Sequence, residues 1–233
     1  MGKIRLSYTA ISTYQQCSLK YKFKYVDRLP AKPSPYLSFG SSIHAALEYF
    51  YKNKGGLLKG LKLNWQRGGY ESIEQEKEFL VKGEEILKSF YKEHFDPLKM
   101  PIALEQRFSV SLGCVELSGV IDRVDALDRG YEVIDYKTSK RLPSPKKLEN
   151  DLQLPIYAMA VEEIYGQLPE KLSFYYLVPN KVISLSKTGA EIDKTRQIVL
   201  KIADYINAGR FVPYKNYLCP WCDYQDICTS YFI

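Results

Sequence analysis

Between Ser118 and Lys140 the chain reads SGVIDRVDALDRGYEVIDYKTSK. Its apolar residues, Val120, Ile121 and Val124 and then Val133 and Ile134, flank a polar centre, which predicts two short, largely buried strands around a tight turn. Elsewhere the apolar period lengthens to three and four. Tyr14, Cys17, Tyr21 and Tyr25 predict a helix with an aromatic stripe over 8–28, although KYKFKY within it alternates like a strand. Residues 38–53 predict a second helix, capped by Ser41 or Ser42. A longer one places Ile73, Leu80, Leu87, Phe90 and Tyr91 on its buried side. PAKPSPY (30–36) is a loop by its prolines, and 55–70, rich in Gly and Lys, reads as a loop or mobile excursion.

Strands follow at about 103–113, 116–125 and 131–138. A helix from Asp151 to Tyr165 then points Leu152, Ile156 and Ile164 toward the core, with Pro155 tolerable only near its first turn. Strands at 171–179 and 181–186 and a helix over 191–208 close the chain. With no linker and no repeat, this order predicts one α/β domain over 1–233. Its helical part covers about 1–100, its α/β core about 101–190, and a final helix with a cysteine run about 191–233.

Composition narrows the class. At 45% hydrophobic and 14% aromatic, 233 residues can bury a real core, which argues against wholesale disorder. Thirty-three Lys+Arg against 27 Asp+Glu leave a net charge of +6, a lean toward polyanions compatible with nucleic acid but shared by many soluble proteins. The N-terminus has no apolar run of signal-peptide length, and no later segment approaches the roughly 18 residues of a membrane span. The expectation is a soluble, cytoplasmic chain. There, five cysteines argue for metal or redox chemistry before disulfides.

The hairpin's charges then demand a reason, because buried charged side chains are paired or hold a metal. With Asp128-Arg129 as the turn, Asp122 lies across from Asp135 and Val120 across from Lys137, all on one face. Opposed carboxylates repel, so Lys137 and a divalent cation are natural compensators. Asp125 and Glu132 oppose each other on the other face, where Arg123 can neutralise them. Carboxylate pairing alone therefore also fits a salt-bridged cluster. Two more stretches bear on the choice. FGSSIHAALE sets His44 and Glu48 four apart on a helix, while the other histidine, His94, lies in an exposed-looking KEHFD. QLPIY sets Gln153 and Tyr157 four apart. A surface histidine and an ordinary amphipathic helix are the plain alternatives.

Taken in order, these motifs resemble the RecB-like branch of the PD-(D/E)XK nuclease superfamily, which includes the CRISPR-associated RecB-like nucleases and the AddB nuclease domain. The resemblance rests on LSYTAISTYQQCSLKYKFKYV, FGSSIHAALE, GVIDRVD, VIDYKTS and QLPIYA, and it spans nearly the whole chain. It implies a restriction-endonuclease-like core with a central mixed β-sheet flanked by helices. It also implies an Mg2+ or Mn2+ ion held by His44, Asp122, Asp135 and the backbone carbonyl of Tyr136. Lys137 would activate the attacking water, Gln153 and Tyr157 would contact DNA, and Glu105 would add an outer-shell contact. The implied activity is metal-dependent DNA exonuclease, which is chemically coherent because phosphodiester hydrolysis needs a hydroxide and a cation on the phosphoryl oxygens.

Cys219, Cys222 and Cys228 form CPWCDYQDIC near the C-terminus, three soft ligands that need a fourth. Cys17 and Cys114 are candidates, and Cys114, between two strands, also reads as a small buried residue. The resemblance selects Cys17 and implies a 4Fe–4S cluster, while spacing alone allows zinc about as readily. Clasping residues 17 and 219 would close a loop of about 200 residues, worth roughly 5 kcal/mol by the chain-entropy formula for a cross-link.

KYKFKYVDRLPAK and the lysine-rich 137–147 interleave aromatics with cations, as a groove tracking single-stranded DNA would, or as a solvated face over core tyrosines would. The chain has no P-loop, so a helicase would be a separate subunit. A CRISPR integrase subunit is the other expected partner, with CRISPR adaptation, recombinational repair or phage DNA processing as settings. The competing function is a DNA-binding or assembly subunit with a structural clasp.

Overall fold

The computed structural model describes residues 3–229. In chain order it runs β1 (Ile4–Leu6), α1 (Tyr8–Gln16), α2 (Ser18–Tyr21), a π-helical turn (Lys22–Val26), α3 (Pro35–Asn53), α4 (Leu57–Leu63), α5 (Ile73–His94), β2 (Ala103–Leu112), β3 (Val115–Ala126), β4 (Tyr131–Lys137), α6 (Pro145–Glu149), α7 (Gln153–Tyr165), β5 (Lys171–Tyr176), β6 (Lys181–Leu185), α8 (Gly189–Asn207) and two 3-10 turns, Cys219–Trp221 and Gln225–Ile227. The chain forms two compact units. One takes in the described residues through Lys32, Phe108–Gly119 and those from Gly189 on; the other takes in Pro33–Arg107 and Val120–Thr188.

In the first unit, β1 pairs in parallel with Val115–Leu117 of β3. Ser7 caps α1, its Oγ accepting from the Ala10 N–H at 3.2 Å. The aromatic stripe does not continue as one helix. Cys17 takes an extended conformation (φ −164°), its N–H still bonded to the Thr13 carbonyl, and the chain restarts as α2. The stripe instead meets the C-terminal segment: the Tyr14 hydroxyl donates to the Arg210 carbonyl at 2.7 Å, and Tyr21 stacks on Phe211 with centroids 6.2 Å apart.

In the second unit the sheet is mixed. Arg123–Ala126 of β3 pair antiparallel with β4, β4 pairs in parallel with β5, and β5 pairs antiparallel with β6. The Leu127 N–H donates to the Gly130 carbonyl at 3.0 Å, closing the turn around Asp128-Arg129. Gly130 has φ +83°, which glycine adopts without a Cβ clash. The expected register follows, with Asp125 opposite Glu132. Phe39, Ile43, Leu47, Leu61, Leu87 and Phe90 form a core from α3, α4 and α5 that reaches Tyr136 and Tyr175 on the sheet. In α7, Leu154, Ile156, Ala158, Met159, Ala160 and Val161 are all buried, so the helix is covered on every side through Val161 and places Gln153 and Tyr157 in the interior. Pro155 sits in its first turn, where no intrahelical N–H is needed.

Several expectations need correction. α3 begins at Pro35 rather than at 38, and Ser42 is not its cap. The buried Ser42 hydroxyl accepts from the Gln66 N–H at 2.9 Å. Residues 55–70 are not a mobile excursion, because Leu57 and Leu61, four apart, are buried and fold 57–63 into α4. Ile73, Tyr91 and Ile164, assigned to buried faces, are 65%, 52% and 40% exposed. Cys114 is exposed in the turn between β2 and β3 rather than buried.

Candidate active site

The pairing between β3 and β4 stops at Arg123 and Ile134. One step further, the Asp122 side chain takes the position of a strand carbonyl: its Oδ2 accepts the Tyr136 N–H at 2.7 Å. β4 itself stays paired with β5 through Lys137. Asp135, Tyr136 and Lys137 therefore stand on a rigid strand whose other edge is open.

On the far face, Arg123 braces this opening. Its guanidinium is bidentate to Asp125 at 2.6 and 2.7 Å and reaches the Lys99 carbonyl at 3.1 Å. It lies 4.7 Å over the Tyr51 ring and hydrogen-bonds the hydroxyls of Tyr51 and Tyr136. The Tyr136 ring is thus held by Arg123 while its backbone carbonyl meets His44. Glu132, expected to need Arg123, pairs instead with Lys171 at 3.1 Å and accepts from Ser173 at 2.6 Å. Nothing in the sequence singled out Tyr51 or Lys99 for this role.

His44 arrives from α3. Its Nε2 lies 3.1 Å from the Tyr136 carbonyl and its Nδ1 3.4 Å from Asp122 Oδ1. Burial pulls its pKa down, but hydrogen bonding and charge from Asp122, with Asp135 and Glu105, raise it from 6.5 to about 9. When protonated, the ring has one N–H facing each neighbour.

Glu105 completes the group. His44, Glu105 and Asp122 each offer a ligand atom, all within 4.8 Å of one another. Burial and the charge of Asp122 raise the Glu105 carboxyl from 4.5 to about 7, with His44 acting against them. Its φ of +47° is the left-handed region, strained for a residue with a Cβ, and such strain concentrates at functional sites.

Asp135 sits just beside this trio, 2% exposed. Its Oδ1 accepts from Gln153 Nε2 at 2.7 Å. Lys137 Nζ forms an ion pair with the buried Oδ2 at 2.7 Å. Lys137 also donates to Gln153 Oε1 at 2.6 Å, and Gln153 Nε2 to the Tyr157 hydroxyl at 2.9 Å. Burial raises the Asp135 pKa; Lys137 opposes the shift and Asp122 reinforces it. Gln153 and Tyr157, expected at the DNA, are 8% and 6% exposed, with Gln153 bonded to Asp135 and Lys137 and the Tyr157 hydroxyl accepting from Gln153.

A divalent cation fits this donor set. Two carboxylates and an imidazole converge, and a backbone carbonyl adjoins them. The cysteines are elsewhere, in the first unit, where Cys17, Cys219, Cys222 and Cys228 line one cavity with Phe23 and Tyr224. All are free thiols. The Asn216 N–H points at Cys219 Sγ, 3.3 Å away, and the Tyr224 hydroxyl ties the run to the Leu29 carbonyl at 3.0 Å. Among the described residues, these sulfurs form no group of three within 4.8 Å.

A sequence model of the PD-(D/E)XK nuclease superfamily matches residues 5–229. The Gene 69 protein of Mycobacterium phage D29 is 25% identical over 281 aligned positions, covering 99% of this chain and 100% of its own. The CRISPR-associated exonuclease Cas4 of Francisella tularensis subsp. novicida (strain U112) is 26% identical over 117 residues, 49% of this chain and 57% of its own. A solved structure of a putative exonuclease from Eubacterium rectale superposes with a TM-score of 0.61 at 15% identity, over 97% of this chain and 89% of that one. Among the described residues, no helix is long and apolar enough to cross a membrane.

Proposed function

Because the chain belongs to the PD-(D/E)XK nuclease superfamily, we propose that it is a divalent-metal-dependent DNA exonuclease acting on single-stranded ends. The observation that carries this reading is the meeting of His44, Glu105 and Asp122 beside Asp135 and Lys137, where β3 and β4 part. In this reading His44, Asp122, Asp135 and the Tyr136 carbonyl hold Mg2+ or Mn2+, with Glu105 as a further ligand rather than an outer-shell contact. When bound, the ion supplies a hydroxide at neutral pH and neutralises charge on the phosphoryl oxygens. Lys137, held by Asp135 and Gln153, orients the attacking water and steadies the phosphate. Gln153 and Tyr157 act as positioning residues for that pair. The exonuclease assignment is supported by the name of the Francisella relative, and the full-length phage relative supports a setting in phage DNA processing.

The four cysteines, in the same reading, hold a 4Fe–4S cluster. What supports it is that Cys17, Cys219, Cys222 and Cys228 line one cavity, a four-thiolate set that both iron–sulfur clusters and zinc use.

The test is anaerobically purified protein on single-stranded DNA labelled separately at its 5′ and 3′ ends, with Mg2+, Mn2+ or EDTA and with Asp135→Ala alongside. Metal-dependent shortening absent in the variant is the expected result, and the label released first gives polarity. An Asp135→Ala protein that cuts at the wild-type rate overturns the site.

A further inference from the structure

α3 leads into the site as one wall of a cleft of about 450 Å³, a size typical of small-ligand pockets. Tyr36, Gly40, His44 and Glu48 follow one another at four-residue spacing along that wall, with Leu37, Ser41 and Ala45 in the adjoining row. The end beyond His44 is acidic, from Glu48 and Glu105. The opposite end is apolar and open: Tyr36 is 72% exposed and Leu37 71%.

Single exposed apolar residues are ordinary on any surface. These two are adjacent and share a cleft with His44. The Tyr36 ring is also braced, meeting Phe79 edge-on at 5.6 Å, while Phe79 packs against Phe39 at 5.3 Å and Tyr70 at 5.5 Å. A ring already oriented loses little freedom when a flat ligand stacks on it. Between Tyr36 and His44 the wall is stripped of bulk. A Cβ on Gly40 would stand 3.4 Å from Thr138 Oγ1. Eight residues of helix separate Tyr36 from His44, about 12 Å of rise.

We infer that Tyr36 and Leu37 form a nucleobase-stacking subsite at the mouth of the cleft, one or two nucleotides from the scissile phosphate. This rests on the nuclease reading above and extends it to substrate choice. A base stacked on Tyr36 has left its own stack and its complement, so the subsite selects unpaired strands. Stacking on a ring and a leucine reads no base edge, so the selection is tolerant of sequence.

The experiment uses single-stranded oligonucleotides with one abasic nucleotide moved stepwise along the strand, and compares wild type, Tyr36→Ala and Tyr36→Phe. Equilibrium binding in EDTA is measured by anisotropy, and cleavage with Mn2+ is measured separately. Wild type and Tyr36→Phe lose roughly tenfold in affinity at one abasic position. Tyr36→Ala binds intact DNA about as weakly and loses nothing more at that position. In cleavage the loss falls on KM rather than kcat. Equal abasic penalties in wild type and Tyr36→Ala, or intact affinity in Tyr36→Ala, overturn the subsite. Position-specific binding without cleavage in any metal overturns the nuclease reading and leaves the subsite standing.

Discussion

The Asp122 carboxylate accepts the Tyr136 backbone N–H at 2.7 Å where the next strand carbonyl would otherwise stand. One side chain thereby ends a ladder, satisfies the N–H it frees, and turns its other oxygen toward His44, 3.4 Å away. Structure and chemistry share a residue here, and isosteric variants can separate the two.

Asp122→Asn keeps an acceptor for the Tyr136 N–H, so that bond should survive while the carboxylate beside His44, and with it cleavage, is lost. Asp122→Ala leaves that N–H buried and unsatisfied, which costs about 1–3 kcal/mol. Denaturant melts of the two variants should therefore differ by about that amount, with Ala the weaker. Equal stability would mean that the N–H finds another acceptor.

Gln153 bridges Asp135 and Lys137 from inside α7. Gln153→Ala should lower kcat at least tenfold, because both groups lose their common anchor, while single-strand affinity changes by less than about threefold. These expectations scale with the loss of one or two charge-assisted hydrogen bonds. A large fall in affinity with unchanged kcat would instead make Gln153 a DNA contact.

The titrations predict an unusual pH dependence. His44 is raised from 6.5 to about 9, so its contribution to stability is complete below 6.5 and lost as pH rises through 9. Glu105, raised from 4.5 to about 7, has the same sign: the folded state holds its proton more tightly, and stability falls as pH rises through 7. Metal-free protein should therefore lose several degrees of melting temperature between about pH 5 and 9 from these two groups. Binding a divalent cation displaces both protons, so its apparent affinity should rise over the same range, with proton release visible in calorimetry across buffers. A metal affinity that does not change with pH would remove His44 and Glu105 from the ligand set.

The hairpin was legible because turn position and two-residue alternation fix a register without tertiary help, and Asp125 does face Glu132. The expected pairs Asp122 with Asp135 and Val120 with Lys137 do not form, because the ladder stops at Arg123 and Ile134 and Asp122 bonds the Tyr136 N–H instead. Other features depend on what the rest of the chain does. The break at Cys17 is hidden inside an unbroken three- and four-residue period, and its extended backbone accompanies contacts to residues about 194 positions away, such as Ser18 to Val212. Lysines and glycines masked α4, where two leucines four apart suffice for burial. Glu105 enters the site through a left-handed backbone at a strand residue, a conformation that no local propensity foretells.

The cysteine cavity gives the last prediction. Cys17 lies between α1 and α2, whereas Cys219, Cys222 and Cys228 lie in the C-terminal segment, so a cluster would add a cross-link between chain ends that also meet through hydrogen bonds such as Ser18 to the Val212 carbonyl at 2.8 Å and ion pairs such as Lys32 to Asp226 at 3.2 Å. Exposed ion pairs of that kind contribute little. A cross-link closing about 200 residues is worth up to roughly 5 kcal/mol in the chain-entropy model. Cys222→Ala should therefore lose iron and the visible absorption of the cluster, and should expose the segment from Val212 to Cys228 to proteolysis. Cys114→Ser, at an exposed thiol outside the cavity, should change neither. Cleavage by Cys222→Ala, measured at a temperature where it remains folded, should persist, because the site residues from His44 to Gln153 draw no ligand from the cysteines. Full iron content and unchanged melting in Cys222→Ala would refute the clasp, and zinc in place of iron would keep the clasp but replace its cluster.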